Sequence, residues 1–194
     1  MINMSFLLAQ IMGLCLFLNI YEIPKEWKQI ENSLYSIKLP PSWEAMYENK
    51  SMVPSQRKVT IKGTSFELHN LIWADNKNDI NGYTMINIDS YKKMETDGMS
   101  LKDLEDLLIK VKVHNESLIK VLDKSVSDTH KRFFLIEKNM SMSATGGVKE
   151  FESPSYHLFV NGNGMIHHID ISLSSNSKIS KEVVENILNS FNLK

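Results

Sequence analysis

The sequence predicts an α+β fold, and three observations carry that expectation. Leu34-Tyr35-Ser36-Ile37-Lys38-Leu39 alternates apolar and polar residues, the period of a half-buried strand, and stops at Pro40-Pro41. Asn161-Gly162-Asn163-Gly164 joins two strand-like runs, and tight hairpin turns require the positive φ that Asn and Gly tolerate. Two amphipathic segments, one opening at Ser100 and one at Ser180, begin on residues that cap helices. At 194 residues the chain has ample length for one core. The expected layout is an N-terminal hydrophobic signal or anchor segment over 1–22 and a single domain over 23–194.

Phe6 to Ile20 contains no charged residue. It falls short of the roughly 20 apolar residues of a bilayer span and is closer to the apolar core of a secretory signal. No Lys or Arg precedes it, and no Ala-x-Ala site follows. Cys15, the only cysteine, follows the bulky Leu14, a poor context for lipidation. The reading is export or a membrane tether through residues 6–20, hence an exported or cell-envelope location. The alternative is a buried or interfacial helix of a cytoplasmic protein. Whether the segment is cleaved, lipidated or kept as an anchor stays open.

Pro24 suits a first helical position, and Trp27, Ile30 and Leu34 would line a short helix. The strand Leu34 to Leu39 follows, and Trp43 to Tyr47 reads as another. Val59 to Ile61, Phe66 to Ala74 and Tyr83 to Tyr91 are strand-like, with turn formers over 75–82. Ser100 caps the clearest internal helix, with Asp103 completing a capping box and Met99 stapling onto Leu104. Leu101, Leu104, Leu108 and Val111 are its apolar stripe. Leu118 to Leu122 leans to strand. Phe133-Phe134-Leu135-Ile136 is apolar on both alternating faces, as in a central strand covered on both sides.

Ser141 to Pro154 reads as a loop, and Tyr156 to Val160 and Met165 to Leu173 as the hairpin strands. The closing helix has Ser180 as cap, Ile179 stapling on Val184, and Val184, Ile187, Leu188 and Phe191 at helical spacing. No repeat or low-complexity segment interrupts the chain.

Lys and Arg number 22 against 23 Asp and Glu, giving a formal charge of -1. With no basic run and no aromatics beside Arg clusters, a nucleic-acid partner is disfavoured. The single cysteine precludes an internal disulfide and a cysteine-based zinc site. Abundant Lys, Asn and Ile fit an AT-rich bacterial genome.

The best candidate chemistry lies on the terminal hairpin. An even-numbered turn places His157 on one face with His168 and Asp170, two imidazoles and a carboxylate that could bind a metal or handle a proton. The same positions read equally as the polar row of an ordinary sheet face, and no third good ligand is identifiable. The expectation is no metal, no cofactor and no catalytic residue. Asp75, Asp79 and Asn81 fall at calcium-loop spacing, but Lys77, Ile80 and Ile86 occupy positions where an EF-hand needs an oxygen ligand, Gly and Glu. Gly146-Gly147 lacks the Lys-Ser/Thr of a phosphate loop, and no Gly-x-Ser-x-Gly appears. The glycosylation triplets beginning at Asn49, Asn115 and Asn139 are explained by composition.

Tyr35-Ser36-Ile37-Lys38-Leu39-Pro40-Pro41-Ser42-Trp43, followed by a middle helix, long strands and a closing helix ending Ile187-Leu188-Asn189-Ser190-Phe191, resembles the PsbP-like superfamily. The resemblance spans roughly Ser33 to Leu193 as an order of elements. It implies an antiparallel sheet sandwiched between helices and a mostly non-catalytic membership of photosystem subunits, envelope lipoproteins, chaperones and adaptors. The functional expectation is a monomeric, non-catalytic, exported or envelope-associated accessory protein of bacterial type, with a protein partner of unknown identity. The alternatives are a cytosolic chaperone or adaptor of the same fold, and a small metal-dependent enzyme using His157, His168 and Asp170.

Overall fold

Strand alternation and tight turns dictate most of the architecture. A computed structural model describes residues 26–45, 55–75, 84–114, 118–142, 148–174 and 177–194. Within them run β1 (Lys28–Glu31), β2 (Tyr35–Leu39), β3 (Trp43–Ala45), β4 (Ser55–Ile61), β5 (Thr64–Asp75) and β6 (Thr84–Lys93). Next come α1 (Leu101–Val113), β7 (Leu118–Val126), β8 (His130–Met142), β9 (Val148–Gly162), β10 (Met165–Ser172), α2 (Lys181–Asn189) and β11 (Asn192–Leu193). The main sheet has eight strands in the order β3-β5-β6-β10-β9-β8-β7, with β4 also paired to β5. A second sheet is β1-β2-β11, and every pairing is antiparallel. The fold is α+β, as expected.

Two hydrophobic layers flank the main sheet. On one face Leu71, Trp73, Ile86, Ile88, Leu158 and Ile169 pack under the small sheet and α2, against Ile30, Ile37, Val184, Ile187 and Phe191. On the other, Phe66, Leu68, Phe159 and Ile166 meet Leu104 and Leu108 of α1. The helices thus lie on opposite faces of the sheet. Apolar burial of this kind contributes about 25 cal/mol per Å².

Ser100 accepts a hydrogen bond from Asp103 N–H, and the Asp103 carboxylate reaches back to Ser100 N–H, completing the capping box. The stripe differs at one position. Val111 is 54% exposed, whereas Glu105 is buried. Glu105 can be covered because Lys131 of β8 donates to its carboxylate at 2.5 Å. Ser180 caps α2 by accepting from Val183 N–H at 3.3 Å.

Two element expectations are corrected. The helix lined by Trp27, Ile30 and Leu34 is instead strand β1, with Ile30 facing Ile37. Asn32 sets this pairing, since its carboxamide oxygen accepts from Leu34 and Tyr35 N–H and turns the chain back. The segment Ser141 to Pro154, read as a loop, is largely the continuation of β8 and β9, paired from Met142↔Val148 to Ile136↔Pro154. Pro154 is tolerated there because β9 pairs with β10 only from Ser155 onward. Phe133 to Ile136, read as a strand covered on both sides, lies on the interior strand β8, with Phe133 and Leu135 buried in one layer and Phe134 half-buried against the other. Finally, the chain adds β11 after Phe191, pairing Leu193 with Tyr35. Residues 6–20 with Cys15, most of the Asp75-to-Asn81 turn, Gly146-Gly147 and the triplets at Asn49 and Asn115 lie outside the described residues.

Candidate functional site

The Asn163-Gly164 turn places φ at 55° and 71° in its two central residues, the conformation of a two-residue hairpin loop. That fixes the register of β9 against β10, so Asp170 faces His157 and His168 faces Phe159. On the far side of β10, His168 faces Asp89 and Asp170 faces Asn87 of β6. The structure therefore brings His157, His168 and Asp170 to one sheet face.

His157 and His168 are both buried, and the Asp170 side chain is 20% exposed. His157 Nδ1 and His168 Nε2 share a hydrogen bond of 3.0 Å, so one ring donates and the other accepts. Ser155 Oγ meets the other nitrogen of His157 at 2.9 Å. Asp170 stands 4.0 Å from His157 Nδ1, outside hydrogen-bond range, and accepts from Ser172 Oγ at 3.1 Å. Among the described residues His168 Nδ1 is buried without a partner, and Phe159 stacks on the ring at 4.4 Å. Burial first, then His157 and Lys112, hold the His168 imidazolium well below the usual histidine range.

Beside the histidines, Asp89 accepts from Asn70 Nδ2 at 2.6 Å and Asn87 Nδ2 at 3.2 Å. Tyr91 O–H points to the same carboxylate at 3.5 Å, and burial pushes its phenol upward. The row is a lattice of buried and half-buried side chains bonded to one another. No group of three or more His, Cys, Asp or Glu among the described residues is placed to hold a metal ion. Chemically the arrangement can position a proton between two rings, but neither imidazole opens to a substrate.

On the opposite face His167 bonds Ser90 Oγ through Nδ1 at 2.8 Å, and burial, then His69, lowers its pKa to about 4. A different feature opens outward. Between α2 and the β7–β8 hairpin lies a cleft of about 290 Å³ whose lining includes Arg132, Phe134, Tyr156, Lys181 and Glu185. Phe134 and Tyr156 stack at 4.3 Å with planes 9° apart, and the Lys181 ammonium stands 5.3 Å over the Phe134 ring. On the α1 side of the same hairpin, Val121, Leu122 and Val126 of β7 line a second hollow with His114 and Phe133, and with Ile119 they are 38–61% exposed. Sequence reasoning missed this surface. Its available signal was the apolar run Leu118 to Leu122, but which strand it joins is a long-range fact.

No protein-family model matches the chain, and no curated protein matches it. Among solved structures, the crystal structure of the Saccharomyces cerevisiae Ran-binding protein Mog1p matches with a TM-score of 0.48 and 10% sequence identity. The match covers 86% of this chain and 95% of that one. It is a likeness of fold, not of residues. The exported or envelope location expected from Phe6 to Ile20 is corrected in that it is not carried forward: the solved structure that this chain resembles is of a Ran-binding protein.

Proposed function

We propose that this chain is a non-catalytic binding protein, an adaptor or chaperone whose partner is another protein. One contrast carries the reading. The histidines that could do chemistry are sealed within the sheet, whereas Ile119, Val121, Leu122 and Val126 stand exposed on a single edge strand. Catalysis needs a nucleophile or base, an orienting group and a reachable site for the reacting atom, and the His157–His168 pair offers no access. Clustered exposed apolar side chains, in contrast, mark surfaces that another protein covers.

A photo-cross-linking amino acid at Val126, and a second at the exposed Lys58 of β4 as control, tests this in the cells that make the protein. A discrete protein adduct from position 126 that is absent from position 58, and that Leu122→Glu suppresses without lowering the melting temperature, is the expected result. No adduct at 126, or the same adducts from both positions, would reject a partner on this surface.

A further inference from the structure

We propose that the cleft between α2 and the β7–β8 hairpin docks an acidic segment of a partner protein, with a carboxylate on Arg132 and an apolar side chain on Phe134. The proposal rests on the protein-binding role above and specifies where and with what chemistry that binding occurs. Arg132 and Phe134 are two residues apart on β8 and so project from the same sheet face, beneath the C-terminal part of α2. Phe134 is half-buried while Tyr156, stacked against it, is 4% exposed, so the phenylalanine presents the accessible ring of the pair. The floor is this aromatic stack.

The charge around this floor is unbalanced. Lys181 is shared between Asp123 at 3.8 Å and Glu185 at 3.4 Å, while three cations, Lys124, Arg132 and Lys181, line the cleft against those two acids. Arg132 and Lys124 form no ion pair among the described residues. Arg132 donates from Nη1 to the neutral Asn189 Oδ1 at 2.6 Å. A guanidinium carries five N–H donors, and an amide oxygen supplies no counter-charge. Burial disfavours its charged form, and Glu185, beyond ion-pair distance, offsets that only in part. A partner carboxylate would restore the ionic match and use donors left over, in the bidentate geometry that arginine favours.

The test uses the full chain and a panel of synthetic 12-residue peptides in three matched series. One carries Asp or Glu around a Leu or Phe anchor, one replaces the acids by Asn and Gln, and one replaces them by Lys. Binding is read by fluorescence anisotropy and mapped by amide chemical shifts. The acidic series should bind at least tenfold more tightly than its neutral match, weaken as salt rises, and shift amides of β8 and α2. Arg132→Gln should remove about tenfold of that affinity. Asn189→Asp, which hands Arg132 an internal carboxylate and deletes no packing, should do the same while the chain stays folded. Acidic peptides that bind no better than neutral ones, unchanged affinity in both variants, or shifts confined to another face would overturn the proposal. So would free acetate competing as strongly as a peptide, or a concentration-dependent dimer that Arg132→Gln dissolves. If the adduct at Val126 forms but the peptides show no preference for acid, the acidic docking fails and the binding role stands. If no adduct forms there while peptides bind, the cellular role fails and the cleft chemistry stands.

Discussion

His157 and His168 lie ring over ring, centroids 5.3 Å apart and planes 10° from parallel, joined by a 3.0 Å hydrogen bond. Phe159 stacks on the far side of His168 at 4.4 Å. Two imidazoles so placed tolerate burial only while at least one stays neutral, since a second positive charge at this range would face the first in a low-dielectric interior.

Acid should therefore unfold this protein earlier than its carboxylates alone require. His168 is held well below 6.5 and His167 is lowered to about 4, in both cases chiefly by burial. Both titrate near 6.5 once unfolded. Above that pH neither group distinguishes the two states. As pH falls below it, the unfolded chain binds protons that the folded chain refuses, so stability drops by up to about 1.4 kcal/mol per pH unit for each histidine. Urea midpoints measured from pH 7.5 to 5.0 should be level down to about 6.5 and then decline. His167→Asn should make the decline shallower. A midpoint that does not move between pH 6.5 and 5.0 rejects this account.

The turn before α1 gives a second test. Gly98 has φ +85°, and a Cβ added there would collide with Thr64 Oγ1. That hydroxyl oxygen accepts from Met99 N–H at 2.7 Å, fixing the start of the helix to β5. Gly98→Ala should cost about 1–3 kcal/mol through strain and the displaced hydroxyl. Gly164→Ala meets only its positive φ, with nothing within 4 Å, and should cost less. Equal denaturation midpoints for the two variants would show that the Thr64 contact is unimportant.

How far these features were legible in the sequence depends on how local their causes are. Ser100, Asp103 and Ser180 act within one helical turn, and their caps were readable. The Asn163-Gly164 turn is equally local, and it dictated the His157, His168 and Asp170 face before any partner strand was known. Asn32 was as local a signal as these, but the helical spacing of Trp27, Ile30 and Leu34 masked it. The Glu105–Lys131 and Arg132–Asn189 contacts are different. They join residues 26 and 57 positions apart, and no periodicity in either segment encodes the meeting.

The two aromatics on the α2 side separate core from cleft. Phe191 is 7% exposed and packs on Tyr35 at 5.1 Å, whereas Phe134 is half-buried. Phe191→Ala should cost about 3–5 kcal/mol and Phe134→Ala markedly less. A Phe134→Ala loss equal to that of Phe191→Ala, by urea denaturation, would make Phe134 core and deprive the cleft of its accessible ring.

The last prediction concerns Glu105 and Lys131. The Glu105 side chain is 2% exposed and that of Lys131 12%, so each charge relies on the other more than on water. Lys102 approaches the same carboxylate from solvent at 3.5 Å and is too exposed, at 59%, to replace Lys131. Removing one partner strands a buried charge, which typically costs about 3–5 kcal/mol, whereas replacing both by apolar residues of similar size is often neutral. Glu105→Ala should thus loosen α1 from β8 severely. The double variant Glu105→Leu with Lys131→Met should recover most of the loss, because Phe133, Leu135 and Leu108 already make that interface apolar. Urea denaturation of the wild type, both singles and the double closes the cycle. A double variant as unstable as the sum of its singles would mean that the pair does not act as a unit and that Glu105 is buried for another reason.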